Sequence, residues 1–425
     1  MGGKPSCIGF VVVSLISAGV WVRPPICVTA WPVRLVPLRW ERNVNWLSDF
    51  RGPRVAGGRA ARLVLGAAAV SATVLGVAGV GNAAADTVID TIAVGDSPNG
   101  VAVSPFGSRA YVVNRGDNSV SVISRFTNTV GDTIAVGDFP VGVAVSPSGS
   151  RVYVTNQVDG TVSVISTFTN TVIDVVTVGI GPSGVAASPD GSRVYVTNSG
   201  DDTVSVIDTV TNTEVDAVTV GDAPNVLAVS PDGSRVYASN AFDGTVSVIE
   251  TVGNTVIDTV TVGAGAFGVA VTPDGSRVYV TNAFDDTVSV IATATNMVVD
   301  TVTVGDLPQG VTVAPEGFRV YVANGIDETV SVVETSGNTV VETIPVGSDA
   351  FGVAASPDGS RVYVTNRSDD TVSVIAVHKC LGSLCIDTGS LVGGGSLVGA
   401  RSLGSGSLAS GGSLAGVTST GSSTS

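Results

Sequence analysis

All seven tyrosines of the chain, Tyr111, Tyr153, Tyr195, Tyr237, Tyr279, Tyr321 and Tyr363, are spaced by 42 residues without a slip. In step with them run Pro105 to Pro357, Gly107 to Gly359, Arg109 to Arg361, Asn114 to Asn366 and Gly95 to Gly347, each seven times at that interval. Such a period means that one supersecondary unit is copied and that each copy buries its apolar faces against its neighbours. The third copy shows the unit: Gly184 to Ser188, Arg193 to Asn198, Thr203 to Ile207 and Thr213 to Val220, four runs rich in β-branched residues. Between them lie Pro189-Asp190-Gly191-Ser192, Ser199-Gly200-Asp201-Asp202 and Thr209 to Asn212, all residues that tolerate tight turns. Four antiparallel strands per repeat of about 40 to 45 residues is the pattern of a propeller blade.

The ends of the array decide between an open solenoid and a closed ring. The run Thr87 to Val94 matches the fourth strand of the unit, and the last repeat stops after its third strand near Val377. The N-terminal strand therefore completes the blade begun at Phe351, which closes the ring and removes an exposed edge. The expected fold is an all-β, seven-bladed propeller over residues 86–379, with four-stranded antiparallel blades. The repeated tyrosine, the largest side chain of its unit, is expected in the core. The repeated arginine, at the start of the second strand, is expected to pair with an acidic neighbour or to be solvated.

Charge excludes one class of partner. Between Asp86 and Lys379 there are 11 basic and 33 acidic residues, a net of −22, and nucleic-acid binding needs a basic face. Upstream, Arg54, Arg59 and Arg62 lead into the apolar stretch Leu63 to Val80 and then Asn82-Ala83-Ala84-Ala85, the pattern of a secretory signal cleaved near Ala85-Asp86. Residues 1–85 are thus read as an export region whose translation is expected to start nearer Val55. Its first apolar run, Cys7 to Val22, is short for a membrane span, and the mature protein is expected not to span a membrane. The tail, 380–425, repeats Gly-Ser-Leu and reads as a low-complexity linker. Within it Cys380 and Cys385 close a short loop, compatible with a disulfide in an oxidising compartment or with two free thiols.

The blades offer little catalytic chemistry. They hold no histidine before His378, no cysteine, and no lysine before Lys379, so nucleophile–base pairs and imidazole zinc sites cannot be assembled within them. His378 is expected as a solvated strand end. No catalytic residue, metal or cofactor is assigned. Carboxylates are the exception: Asp96, Asp138, Asp222, Asp306 and Asp349 share a face with Asp201-Asp202, Asp285-Asp286, Asp327-Glu328 and Asp369-Asp370. Turn formation explains them better than calcium ligation, whose loop spacing is missing.

Tyr153-Val154-Thr155-Asn156, and the same four residues from Tyr195, Tyr279 and Tyr363, carry a resemblance to YVTN-repeat β-propeller proteins over residues 86–379. The other copies depart in the middle, as Tyr-Val-Val-Asn at 111, Tyr-Ala-Ser-Asn at 237 and Tyr-Val-Ala-Asn at 321. The resemblance implies a secreted or surface-layer-like propeller, distantly similar to lactonase-type and haem d1-type propellers, and it fixes no shared activity.

Comparing the copies with one another shows where they diverge. Residues Asn99, Val141, Ser183, Asn225, Phe267, Gln309 and Phe351 are equivalent, and a second loop carries Arg115, Gln157, Phe242, Phe284, Ile326 and Arg367. From these, Phe242, Phe267, Phe284, Phe351, Asn99, Asn225, Gln309, Arg115 and Arg367 are the expected binding residues. Phe242, Phe267 and Phe284 are expected either as one exposed apolar patch or as rings folded back on their blades. The reading is an exported, non-catalytic binding or scaffold propeller, compatible with a monomer, that meets a protein, glycan or envelope component. The alternatives are a lactonase-like enzyme and a structural envelope protein.

Overall fold

The computed structural model describes residues 85–381 and 384–387. The expected signal segment, the sequence upstream of it and the tail beyond 387 lie outside them. Among the described residues, no helix is long and apolar enough to cross a membrane.

Seven four-stranded antiparallel sheets follow one another along the chain. Blades one to six span 98–135, 140–177, 182–219, 224–261, 266–303 and 308–345. Blade seven takes three strands from 350–376 and its outer strand from Thr87–Ala93. That outer strand pairs antiparallel with Thr371–Ala376, Thr87 facing Ala376 and Ala93 facing Thr371, so the two chain ends close the ring as expected. In blade three the inner strand starts at Pro182, two residues earlier than the hydrophobic pattern suggests, because Pro182 pairs with Asn198 before the register shifts ahead of Val185. The ladder skips Ser183 and Gly184.

The core is a set of wedges between neighbouring sheets. Tyr195, Val204, Val206 and Val218 of blade three meet Leu227, Val236, Ala238 and Ile249 of blade four, and the other junctions repeat the pattern. Every repeated tyrosine is buried, the least so being Tyr195 at 2% exposure. Each outer strand is an edge, and each carries a β-bulge, at Val215 in blade three and Ile257 in blade four. Bulges twist an edge away from pairing with another chain.

A polar seam runs beside each apolar wedge. Arg277 of blade five donates to the Thr335 carbonyl (2.7 Å) and to Asn338 Oδ1 (3.3 Å), both in blade six. Asn338 Nδ2 donates back to Asp300 of blade five at 2.9 Å, so two groups of one blade clamp one Asn of the next. Arg109, Arg151, Arg235 and Arg361 make the same Asn contact. Five of the seven arginines are therefore inter-blade latches, and the expected pairing with an acidic neighbour holds at the other two. Of the seven, Arg193 pairs with Asp208 (3.3 Å) and Arg319 with Asp86 (2.8 Å).

Candidate functional site

The third residue of the Tyr-Val-Thr-Asn run builds the mouth of the channel. Thr197 is fully buried; its Oγ1 accepts the Gly184 N–H (2.8 Å) and donates to the Asn225 carbonyl of the next blade (2.6 Å). Thr155, Ser239, Thr281 and Thr365 hold the carbonyls of Ser183, Phe267, Gln309 and Asn99 in the same way. The glycine permits this approach: a Cβ on Gly184 would lie 2.6 Å from the Asn225 oxygen. Blade four has Val226 at that place, and there the N–H to Ser239 Oγ lengthens to 3.2 Å.

These five struts hold Asn99, Ser183, Asn225, Phe267 and Gln309; Val141 and Phe351, which follow blades with Val113 and Ala323 in place of the hydroxyl, complete the set of seven equivalent residues, one per blade. Asn99, Ser183, Gln309 and Phe351 are buried, and Val141, Asn225 and Phe267 are half-buried. Phe267 and Phe351 come from blades five and seven, yet their rings meet edge to face at 5.4 Å. Residues two blades apart touch in this way only on the axial side, so the pair narrows the mouth. The expected patch is therefore divided. Phe242 and Phe284 are 76% and 71% exposed on the loops between second and third strands, whereas Phe267 is turned into the channel mouth. On the opposite face, Phe126, Phe168, Val210 and Val252 are also exposed at one position of successive blades, so variation is not confined to one side.

Arg115 and Arg367, at equivalent positions of blades one and seven, add positive charge beside Phe139 and Phe351. Arg367 forms a forked ion pair with Asp349, at 2.9 and 3.0 Å, and its guanidinium lies 4.0 Å from the centre of the Phe351 ring. Arg115 is stacked 3.6 Å from the centre of the Phe139 ring. No carboxylate among the described residues pairs with Arg115, and its buried Nε has no hydrogen-bond partner. Burial, and then the Arg367 charge, lower its pKa to about 10. Phe139 was missed in the sequence because it lies one residue before the inner strand, at a position where the copies read Ser97, Phe139, Gly181, Ala223, Gly265, Leu307 and Asp349.

The acidic loops of this face are turn-forming groups. Asp117, Asp159, Asp201, Asp243, Asp285, Asp327 and Asp369 each accept a main-chain N–H of their own blade's entry loop at 2.6–2.9 Å. The next residue reaches the following blade, as Asp202 does to Ala223, Asp286 to Leu307 and Asp370 to Ser97. Among the described residues no group of three or more His, Cys, Asp or Glu is placed to hold a metal ion. His378, expected to be solvated, has a side chain only 15% exposed and lies beside Asp86. Cys380 and Cys385 stand opposite each other in the hairpin formed by His378–Leu381 and Leu384–Asp387.

The ring of seven blades, the shared closing sheet and the axial mouth define a seven-bladed β-propeller. Family models agree at that level: a YNCE-like β-propeller model matches residues 183–274 and 260–369, and a lactonase seven-bladed β-propeller model matches 83–172. Among solved structures, a Kuenenia stuttgartiensis hydrazine synthase chain is similar at 26% identity and a TM-score of 0.62, over 66% of this chain and 96% of that one. In all, 1722 chains of solved structures match, too many for the fold to single out an activity. No curated protein matches the sequence.

Proposed function

We propose that this is an exported, YVTN-repeat binding propeller that uses the channel mouth on its upper face to dock a carboxylate-bearing group of an envelope protein or glycan. One observation carries the reading: Arg115 is a half-buried guanidinium, stacked on Phe139, crowded by Arg367, and left without an anion in a strongly acidic molecule. Crowding two guanidiniums has an electrostatic cost that a carboxylate between them removes. The export part of the reading is supported by the arginine-led apolar stretch ending at Ala85.

The test is capture from an envelope extract by the mature protein and by Arg115→Ala of equal melting temperature. A charge-assisted hydrogen bond contributes about 1.5–3 kcal/mol, so the variant is expected to lose roughly 10- to 100-fold in affinity for the captured partner. Equal capture by both proteins removes Arg115 and this reading with it. A second reading, a lactonase-like enzyme, is favoured by the family match over 83–172. Turnover of simple γ- and δ-lactones that survives Arg115→Ala would favour it.

A further inference from the structure

Six of the seven seams share one bond. Asn128, Asn170, Asn212, Asn254, Asn296 and Asn338 donate Nδ2 to Asp90, Asp132, Asp174, Asp216, Asp258 and Asp300 of the preceding blade, at 2.8–3.0 Å. The seventh seam, between blades six and seven, breaks the rule on both sides. The repeat puts Asp86 where the others have Asn, and Glu342 where the others have Asp. A carboxylate has no N–H to give, so Asp86 cannot make the shared bond with its side chain.

Its side chain does something else. Fully covered, Asp86 accepts hydrogen bonds through Oδ2 from Arg319 and from Tyr321 Oη, each at 2.8 Å, and through Oδ1 from the His378 main-chain N–H at 2.8 Å. The missing donor is supplied by the backbone: the Asp86 N–H hydrogen-bonds the Glu342 carboxylate. Ala85 is exposed and Asp86 buried, so the chain enters the fold at this one peptide bond.

We propose that hydrolysis of the Ala85–Asp86 bond by a signal-type peptidase leaves a new α-ammonium group that pairs with Glu342 and completes the seventh seam. Water adds across the amide: Ala85 leaves as a carboxylate, and the Asp86 nitrogen takes up protons to become the ammonium. Cleavage accompanies export and so precedes folding, which is why the nitrogen can be buried afterwards. In place of the neutral amide donor of the other six seams, the closing seam then has an ion pair, at the junction where the ring is held by pairing between the two ends of the chain rather than by continuous backbone. The proposal rests on the exported reading above, because only a chain cut at this bond has the amine.

The charged and titratable groups around the amine are Glu342, the Asp86 carboxylate, Arg319, Tyr321 and His378. Burial, then Asp86, push Tyr321 far above the usual tyrosine range, so it stays neutral while the amine titrates. An amine that gains a carboxylate partner on folding has its pKa raised above the unfolded value of about 7.7–8.0. The stability it adds is complete below that value and is lost as pH rises through the folded pKa.

The experiment expresses the full chain with its leader in a secreting host and determines the mass of the mature N-terminus. Amine-reactive labelling then compares the α-amine in folded and urea-unfolded protein; Lys379 is the one other amine of a chain beginning at Asp86. A pKa raised by one unit slows labelling about tenfold near neutral pH. The expected results are a chain beginning at Asp86, slow labelling when folded, and a melting temperature that falls between pH 7 and 10 in the parent but not in Glu342→Gln. A chain beginning elsewhere overturns the leader reading and the proposal together. A chain beginning at Asp86 whose amine labels as fast folded as unfolded overturns the ion pair and leaves export standing. The labelling comparison needs only the parent protein, so a Glu342→Gln variant that fails to fold does not shelter the proposal.

Discussion

Thr197→Val tests the idea that the threonine of the repeated run is a strut between blades. Val keeps the shape and the β-branched preference of the strand, so the change removes only the hydroxyl. Two groups lose their partner: the buried Gly184 N–H, bonded at 2.8 Å, and the Asn225 carbonyl, bonded at 2.6 Å. A buried polar group left unpaired costs about 1–3 kcal/mol, and Asn225 is half-buried, so the pair of losses comes to about 3 kcal/mol. At about 2.1 cal/mol/K of unfolding entropy per residue, a propeller of roughly 300 residues has about 0.6 kcal/mol/K, and the melting temperature falls by about 5 °C. Circular dichroism or calorimetry on the mature protein measures this, with Thr219→Val, on the exposed face of an outer strand, as the control expected within ±0.5 kcal/mol of the parent. A shift no larger than that of the control would refute the strut. It would mean that Val113 and Ala323, which lack the hydroxyl in blades one and six, are the normal condition and the five hydroxyls are incidental.

Three further outcomes are expected. Asn338→Ala removes the group held by Arg277, Tyr279 and Asp300 and also places Ala at a φ of 49°, costing about 2–3 kcal/mol; Asn338→Gly keeps the backbone free and isolates the side-chain share, and a melt unchanged in both rejects the seam. Gly184→Ala pushes a methyl against the Asn225 carbonyl and is expected to destabilise by about 1–3 kcal/mol, measured by urea unfolding; a neutral result would show that the inner strands yield as blade four does around Val226. Hydrogen bonds from Ser188 and the Ser192 N–H hold Asp190 at about 2, and those from Ser230 and Ser234 do the same for Asp232. Depressed carboxylates stabilise the fold above their unfolded pKa of about 3.9, and that share disappears as pH falls towards 2. Asp190→Asn with Asp232→Asn should therefore flatten the acid limb of the melting curve, and an unchanged limb counts against these turns.

The period of 42 residues carried the blade count, the strand order, the closing strand and the tyrosine core, because each depends on which residue types recur and not on where distant copies meet. What it could not carry lies between blades. Arg277 and Asn338 are 61 residues apart, and nothing local ties them; only the ring geometry makes one the neighbour of the other. Phe242 and Phe267 show a second limit. Both are variable aromatics of one face, yet Phe242 lies on a loop and Phe267 on a strand whose alternation turns it to the axis. The isolation of Arg115 was illegible for the same reason, since a missing partner is a property of the surroundings.

The division between seam and mouth argues for where selection for function would act. Latch, strut and clamp residues recur around the ring because each blade must meet the next in the same way, and a change at one seam is felt as lost stability. The mouth residues have no such duty. Asn99, Ser183, Asn225, Phe267 and Gln309 are held by their main-chain carbonyls, so at these five positions the scaffold fixes where the residue stands without using its side chain. Seven equivalent positions with five different residue types, bordered by an unpaired arginine, are what a ring-shaped scaffold needs to recognise something that is not itself seven-fold. If Arg115→Ala and the seam variants are compared in one capture assay, the first should lose partner at unchanged melting temperature. Asn338→Ala should lose melting temperature at unchanged capture below the melt, and a reversal of the two effects would place recognition in the seams instead.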